Sequence, residues 1–169
     1  MIVKVVVKDA NIIIDLEQAG VLEIWLSMPV ETHTTDFIVR QLSAGKHEAA
    51  LSQVRSGNIR EYRCSAEDLE SIDELFQTFG GGPDVNDCSV LFLAGKLDAV
   101  LLTGDRALRR ESEVRRVEVH GTIWIFDQMI EAGKIDPVDA ARKLQDLLDS
   151  GRFLPQEICQ KRIQMWELL

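Results

Sequence analysis

Short β-branched runs alternate along the chain with longer stretches in which apolar residues recur at helical intervals. Residues 2–7 are mostly β-branched and end at Asp9, which predicts a buried strand followed by a polar loop. Over 12–25, Ile13, Leu16, Leu22 and Trp25 fall at helical spacing and Gly20 is the weak point, so one helix or two short ones fits the pattern. Residues 30–32 read as a short strand. Thr34, Thr35 and Asp36 then offer capping oxygens before a helical run over 37–42, and a second helix is predicted over 46–54. After Ser56-Gly57-Asn58, alternation over 59–64 predicts another strand. Ser65 and Asp68 have the spacing of a capping box that opens a helix to about Phe79.

Three glycines, Gly80-Gly81-Gly82, and Pro83 then break the chain. Asn86-Asp87 opens an apolar helix through Leu97, and 99–103 is a short apolar strand ending in Gly104-Asp105. Residues 107–112 read as helix, and Val114, Val117 and Val119 mark a last strand ending at Gly121. Everything from 121 to 169 is predicted helical: Phe126, Met129 and Ile130 share a face, Asp136-Pro137 starts the next helix with Leu144, Leu147 and Leu148 along it, and Pro155 starts the last, to Trp166 and Leu169. Strands alternating with helices of these lengths indicate an α/β fold with a mostly parallel sheet. One domain over 1–169 is expected, its residues 121–169 forming C-terminal helices; no repeat, low-complexity tract or linker stands out.

Length and composition agree with that architecture. The 169 residues are 46% apolar, and a chain of this size buries about 70% of its unfolded surface without disulfide or structural metal. The longest unbroken apolar run is Val90 to Ala94, against the roughly 20 residues needed to cross a bilayer, so no membrane span is expected. Lys4 and Lys8 interrupt the apolar start, and no small-residue cleavage site follows; this segment is expected to be a strand, not a secretory signal. Cys64, Cys88 and Cys159 lack metal-ligand spacing, which points to half-buried thiols in a reduced, cytoplasmic protein rather than to zinc. With 28 acidic and 19 basic side chains the formal net charge is −9, which argues against tight, metal-free, nonspecific binding to nucleic acid. It does not argue against a local site, because carboxylates that hold a cation add to the same negative total.

Ligands of open α/β sheets bind beyond the carboxyl ends of the strands. Asp9 follows the first strand and Asp105 follows the strand over 99–103, so both are expected at one edge; Asp87 heads the helix that feeds the latter strand and belongs at the same edge. Three such carboxylates form a hard oxygen set suited to Mg²⁺ or Mn²⁺. Such a cation neutralises phosphate charge, activates water and stabilises the leaving oxygen of a phosphodiester. Each aspartate also has an ordinary structural reading, as a turn residue or helix cap. Thr103 reads either as a plain strand end or as a hydroxyl that orients Asp105 or a metal-bound water.

The segments KDANIIIDL, TTDFIVRQL, DCSVLFLAGKLDAVLLTGDRALRR and VHGTIWIFDQMIEAGKI together resemble a PIN domain, the fold of metal-dependent ribonucleases that includes VapC-type toxins. The resemblance runs approximately over 3–155, and its most specific part is Asp87 at the head of an apolar helix paired with LLTGDRALR. It implies a three-layer α/β/α domain around a mostly parallel sheet, with Asp9, Asp87 and Asp105 binding Mg²⁺ or Mn²⁺ and positioning water for RNA cleavage. It further implies a homodimer and a small antitoxin protein that plugs the acidic pocket with a basic side chain. The chain departs from the family at Gln41, where a glutamate is usual; an amide oxygen can ligate a cation but brings no negative charge. Asp36 is the alternative carboxylate, though it also suits an N-cap. A second reading is therefore a silent PIN fold that binds RNA or protein. A third, a phosphatase of the haloacid dehalogenase type, needs an aspartate two residues after its nucleophile, where Asp9 is followed by Ala10 and Asn11.

Five arginines fall between 106 and 116. Arg106 and Arg109 directly follow Asp105 and are expected at the rim of the site, able to hold phosphate bidentately. Arg115 and Arg116 read as a solvated face neutralised by Glu111 and Glu113. His33, His47 and His120 are scattered without a Ser, Cys or carboxylate partner at useful spacing, so a catalytic imidazole is not expected. Trp25, Trp124 and Trp166 lie among apolar residues at helical spacing and read as packing residues rather than base-stacking ones. The triple glycine lacks a following Gly-Lys-Ser/Thr and reads as a turn rather than a phosphate loop.

Overall fold

The computed structural model describes residues 4–169. Its strands are β1 (Lys4–Lys8), β2 (Val30–Thr35), β3 (Ile59–Tyr62), β4 (Val100–Leu102) and β5 (Val119–His120). Its helices are α1 (Ala10–Gln18), α2 (Leu22–Leu26), α3 (Asp36–Ala44), α4 (Glu48–Arg55), α5 (Ala66–Phe79), α6 (Val85–Lys96), α7 (Arg106–Val114), α8 (Thr122–Glu131), α9 (Pro137–Asp149) and α10 (Gln156–Glu167). The expected first strand thus covers 4–8; Ile2 and Val3 lie outside the described residues.

All four strand pairings are parallel, and the order is β3-β2-β1-β4-β5. Each connection is a helical crossover, as parallel pairing requires. Chain direction reverses across the sheet at β1, the switch point where α/β folds place their ligands. Right-handed crossovers put α1 to α4 on one face and α5 to α7 on the other, and the packing agrees: α1 meets α3, α4 and α8, whereas α6 lies between α5, α7 and the β1–β2 part of the sheet. The result is the expected α/β/α layering.

Burial follows from this arrangement. β4 is buried throughout, and Ile12, Ile13 and Leu16 of α1 and Val90 and Leu93 of α6 are fully inaccessible. Trp25 and Trp166 are buried, and Trp124 packs against the core from its edge, 6.2 Å from Trp25 between ring centroids. Asp15 of α1 is buried too. It accepts hydrogen bonds from Thr122 (3.1 Å) and from Arg152 Nε (2.5 Å), tying α1 to α8 and to the segment after α9. Cys88 and Cys159 are buried and Cys64 is half-buried, all as free thiols.

Over 12–25 the expected weak point holds: Gly20, at φ +70°, divides the stretch into two helices, one of the two arrangements the pattern allows. Several other boundaries differ from expectation for local reasons. The second strand runs on to Thr35 because Thr32, Thr34 and Thr35 are buried, polar side chains that hydropathy alone excludes. β3 stops at Tyr62, whose hydroxyl turns to donate to Asp68 (2.8 Å). Val114 is not in a strand: it ends α7 and is 72% exposed, because the Glu111–Arg115 pair carries the helix two residues further. No helix among the described residues is long and apolar enough to cross a membrane.

Candidate metal centre

At the carboxyl edge of the sheet a polar cavity of about 190 Å³ is lined by Asp9, Ala10, Asn11, Ile38, Gln41, Asp84, Asn86, Asp87 and Asp105. Asp9 arrives from β1 and caps α1, its Oδ1 accepting the amide of Ile12 (2.9 Å). Its Oδ2 accepts the hydroxyl of Thr103, which follows β4. The same Thr103 oxygen accepts the amide of Asp105 (3.1 Å), whose Oδ1 caps α7 through Leu108 (2.7 Å). One buried hydroxyl thus links the two strand-end aspartates.

Asp84 and Asp87 enter from α6. Asp84, not Asn86 or Asp87, is the N-cap of that helix: the Asp84 Oδ1 accepts the amide of Asp87, and Asp87 Oδ2 accepts the amide of Asp84, both at 2.9 Å. Asp84 was not among the residues singled out in the sequence. The Asp-x-x-Asp spacing before an apolar run was the available signal, being the same capping pattern read correctly at Ser65 and Asp68. Gln41 enters from α3 and lines the cavity. Asp36 does not: it begins α3, accepts the amide of Cys64 (3.4 Å) and pairs with Arg40. The N-cap of α3 is Thr35, whose hydroxyl is also 2.8 Å from that of Ser89 in α6.

The electrostatics are those of a negative pocket with no basic lining residue. Burial pushes the Asp9 carboxyl up to about 6, offset in part by the Thr103 and Ile12 bonds, with the Asp15 and Asp105 charges adding to the rise. Asp87 is pushed up to about 7, first by burial and then by the Asp84, Asp105 and Asp9 charges, against the lowering effect of the Asp84 amide. A divalent cation relieves this repulsion, and four carboxylates plus the amide oxygens of Gln41, Asn11 and Asn86 form the hard donor set that Mg²⁺ and Mn²⁺ prefer. The residues fit such an ion chemically. Among the described residues, however, no three His, Cys, Asp or Glu side chains converge into a ready-made cage, and each of the four aspartates also holds one oxygen in a capping hydrogen bond.

Of the remaining expected residues, Thr103 is buried behind Asp9 and does not line the cavity, whereas Arg106 and Arg109 follow Asp105 on α7 without lining it either. The histidines do have carboxylate partners, contrary to expectation. His33 lies 4.0 Å from Glu31, His47 3.5 Å from Glu17 and His120 2.9 Å from Glu118, two of them across an i, i+2 spacing along a strand or strand entry and one across the fold. None of the three lines the cavity.

A family model described as a PIN domain, DUF3368, matches residues 5–168. Among solved structures, the chain is similar to VapBC-1 from nontypeable Haemophilus influenzae, at 15% identity and a TM-score of 0.50, over 70% of this chain and 98% of that one. It is also similar to PAE2754 from Pyrobaculum aerophilum, at 15% identity and a TM-score of 0.55, over 78% of this chain and 99% of the other. No curated protein matches the chain.

Proposed function

The chain belongs to the PIN-domain family, and from that membership we propose that it is a divalent-metal-dependent ribonuclease, the toxin half of a toxin–antitoxin pair. PIN domains are generally nucleases. The observation that carries the reading is the cavity at the β1/β4 switch point, where four carboxylates and three amides gather with no basic side chain among them.

In this reading Asp9, Asp87 and Asp105 hold Mg²⁺ or Mn²⁺. The ion supplies charge neutralisation at the scissile phosphate and a water of lowered pKa. Thr103 fixes the Asp9 carboxylate by hydrogen bond and the Asp105 backbone by accepting its amide, which keeps the two strand ends in register. Gln41 offers a neutral oxygen to the ion or to the substrate, and Arg106 and Arg109 contact phosphate at the rim. An antitoxin that inserts a basic side chain into the cavity fits its charge, and the likeness to a structure of VapBC-1 favours a partner of that kind. A homodimer and a cytoplasmic setting, in which the three free thiols stay reduced, complete the proposal.

The experiment is cleavage of single-stranded RNA by the wild type and by Asp9→Asn, Asp87→Asn and Asp105→Asn. Each change is expected to abolish cleavage while circular dichroism stays that of the wild type; activity that survives all three overturns the reading. Gln41, a neutral side chain in the lining where the family usually has a glutamate, favours one rival, a catalytically silent PIN fold that binds RNA or protein. Calorimetric titration separates the two, since the silent module shows no saturable Mn²⁺ binding that depends on Asp105.

A further inference from the structure

Of the twelve arginines in the chain, eight pair with a carboxylate: Arg40, Arg55, Arg60, Arg63, Arg115, Arg142, Arg152 and Arg162. The other four, Arg106, Arg109, Arg110 and Arg116, all fall within one stretch around α7, and among the described residues none makes an ion pair or a side-chain hydrogen bond. In a chain with 28 acidic residues this is not for want of carboxylates. Glu111, the nearest to hand, is taken by Arg115 (3.0 Å), and Glu113, one turn from both Arg109 and Arg110, bonds neither.

Arg106, Arg109 and Arg110 stand at i, i+3 and i+4, so they share one face of α7, opposite the buried Leu108 and Ser112. Arg106 and Arg110 are exposed and Arg109 is half-buried. Asp105, which lines the acidic cavity, is the N-cap of the same helix, so the arginine face begins where the cavity ends. Arg109 is also seated. A Cβ built on Gly121, in the turn between β5 and α8, meets the Arg109 Nη2 at 3.3 Å, so the missing side chain leaves room for the guanidinium to lie against that turn. At a rise of about 1.5 Å per residue the face is roughly 6 Å long, enough for one or two adjacent phosphates.

We propose that Arg106, Arg109 and Arg110 form a phosphate track that carries the sugar-phosphate backbone of a single-stranded RNA into the acidic cavity, with Arg109 held in place by Gly121. The ribonuclease reading above supplies the identity of the anion; the unpaired cations supply the track. Unpaired guanidiniums displace the cations condensed on the phosphates without first breaking a protein ion pair. They also offset, beside the cavity, the repulsion that an overall charge of −9 exerts on a polyanion.

The test is fluorescence anisotropy of the full chain with a labelled twelve-nucleotide oligouridylate, in EDTA, over a range of NaCl. Three contacts predict a slope of log K against log [salt] of about −2, and each of Arg106→Gln, Arg109→Gln and Arg110→Gln shrinks it by about 0.7. Arg115→Gln leaves it unchanged, because that side chain is held by Glu111. Gly121→Ala, which displaces Arg109 without removing its charge, weakens binding in the same direction as Arg109→Gln. A triple glutamine variant that binds the oligonucleotide with the wild-type affinity and salt slope overturns the proposal, as does a wild type that does not bind it at all. Competition by oligoglutamate as strong as by RNA of equal charge overturns it in favour of an acidic protein partner. Mn²⁺ titration of the triple variant keeps the two readings apart. Wild-type metal affinity with an unaltered RNA slope removes only the track, and arginine-dependent RNA binding in a protein that takes up no Mn²⁺ removes only the metal-dependent nuclease.

Discussion

The Thr103 hydroxyl donates to the buried carboxylate of Asp9, 94 residues away in sequence. This one bond spans two neighbouring parallel strands and sets the orientation of the most deeply buried acid of the cavity. Thr103→Val keeps the shape and removes both hydrogen bonds of the hydroxyl. The Asp9 carboxyl is then expected to titrate higher than its present value of about 6, since the Thr103 bond is the main influence lowering it. Carboxyl-carbon NMR reads that directly, and denaturant melts are expected to show a loss of about 2 kcal/mol, the usual worth of a hydrogen bond to a charged group. Thr103→Ser restores both.

Asp87 makes the metal-free protein pH-sensitive. Its proton leaves near 3.8 in the unfolded chain and near 7 in the folded one. Between these values the folded state holds the proton more tightly, so stability is greatest at the acidic end of this window and falls as pH rises towards 7. In EDTA, Asp87→Asn is expected to melt about 3 °C above the wild type at pH 8 and to lose that advantage at pH 5. Mn²⁺ is expected to flatten the wild-type profile and leave that of the variant unmoved. Identical profiles in EDTA would show that neither burial nor the neighbouring carboxylates raise Asp87.

Gln41 and Asp84 line the same cavity from opposite sides of the site's sequence, one neutral and one charged. Gln41→Glu is expected to tighten Mn²⁺ binding about tenfold, the equivalent of roughly 1.4 kcal/mol. Asp84→Ser keeps an N-cap oxygen and removes only the charge, and is expected to weaken binding by a similar factor. The double variant returns to near the wild-type affinity if the cavity counts charge rather than position, which isothermal calorimetry decides. Unchanged affinity and cleavage in Gln41→Glu would mean that the missing charge does not limit the site.

Arg152 holds the buried Asp15 at a distance of 137 residues in the chain. Removing it in Arg152→Met leaves a carboxylate that burial already pushes above its ordinary value without its cation. The arginine is a quarter exposed, so the cost is discounted to about 2 kcal/mol, or roughly 6 °C in melting temperature. Asp15→Asn in the same background is expected to recover most of it, and RNA cleavage by the variants at low temperature is expected to stay unchanged because Asp15 lies outside the cavity.

The alternation of apolar runs made the layered fold and the convergence of Asp9, Asp87 and Asp105 on one edge legible, because strand ends and helix starts in a parallel sheet share an edge by geometry. What hydropathy hid was polar burial. Thr34 and Thr35 lengthen β2 while being polar, and Val114 looks strand-like but is held in α7 by an ion pair one turn long. Asp84 was missed because the apolar run was measured from Asn86, whereas the cap that starts a helix lies outside its hydrophobic pattern. The pairing of eight arginines and, among the described residues, the lack of a paired carboxylate for four depends on rotamers and on contacts across the fold, which spacing along the chain does not encode. The histidine partners show the same limit: Glu17 and His47 meet only because α1 and α4 pack together.

The three glycines between α5 and α6 all hold positive φ angles, of 60°, 124° and 100°. They also mark the seam of the cavity. Everything the chain contributes before them, Asp9, Ala10, Asn11, Ile38 and Gln41, comes from the part that builds β1, β2 and β3; everything after them, Asp84, Asn86, Asp87 and Asp105, comes from the part that adds β4 and β5. Neither part carries the whole donor set, and the two come together where β4 docks on β1 and where α6 packs over β1 and β2. The site is in this sense a coincidence detector written into the topology: a ribosome that has finished only the first part has made no complete cation pocket, and a nick at the glycine seam divides it into two halves, neither complete without the other.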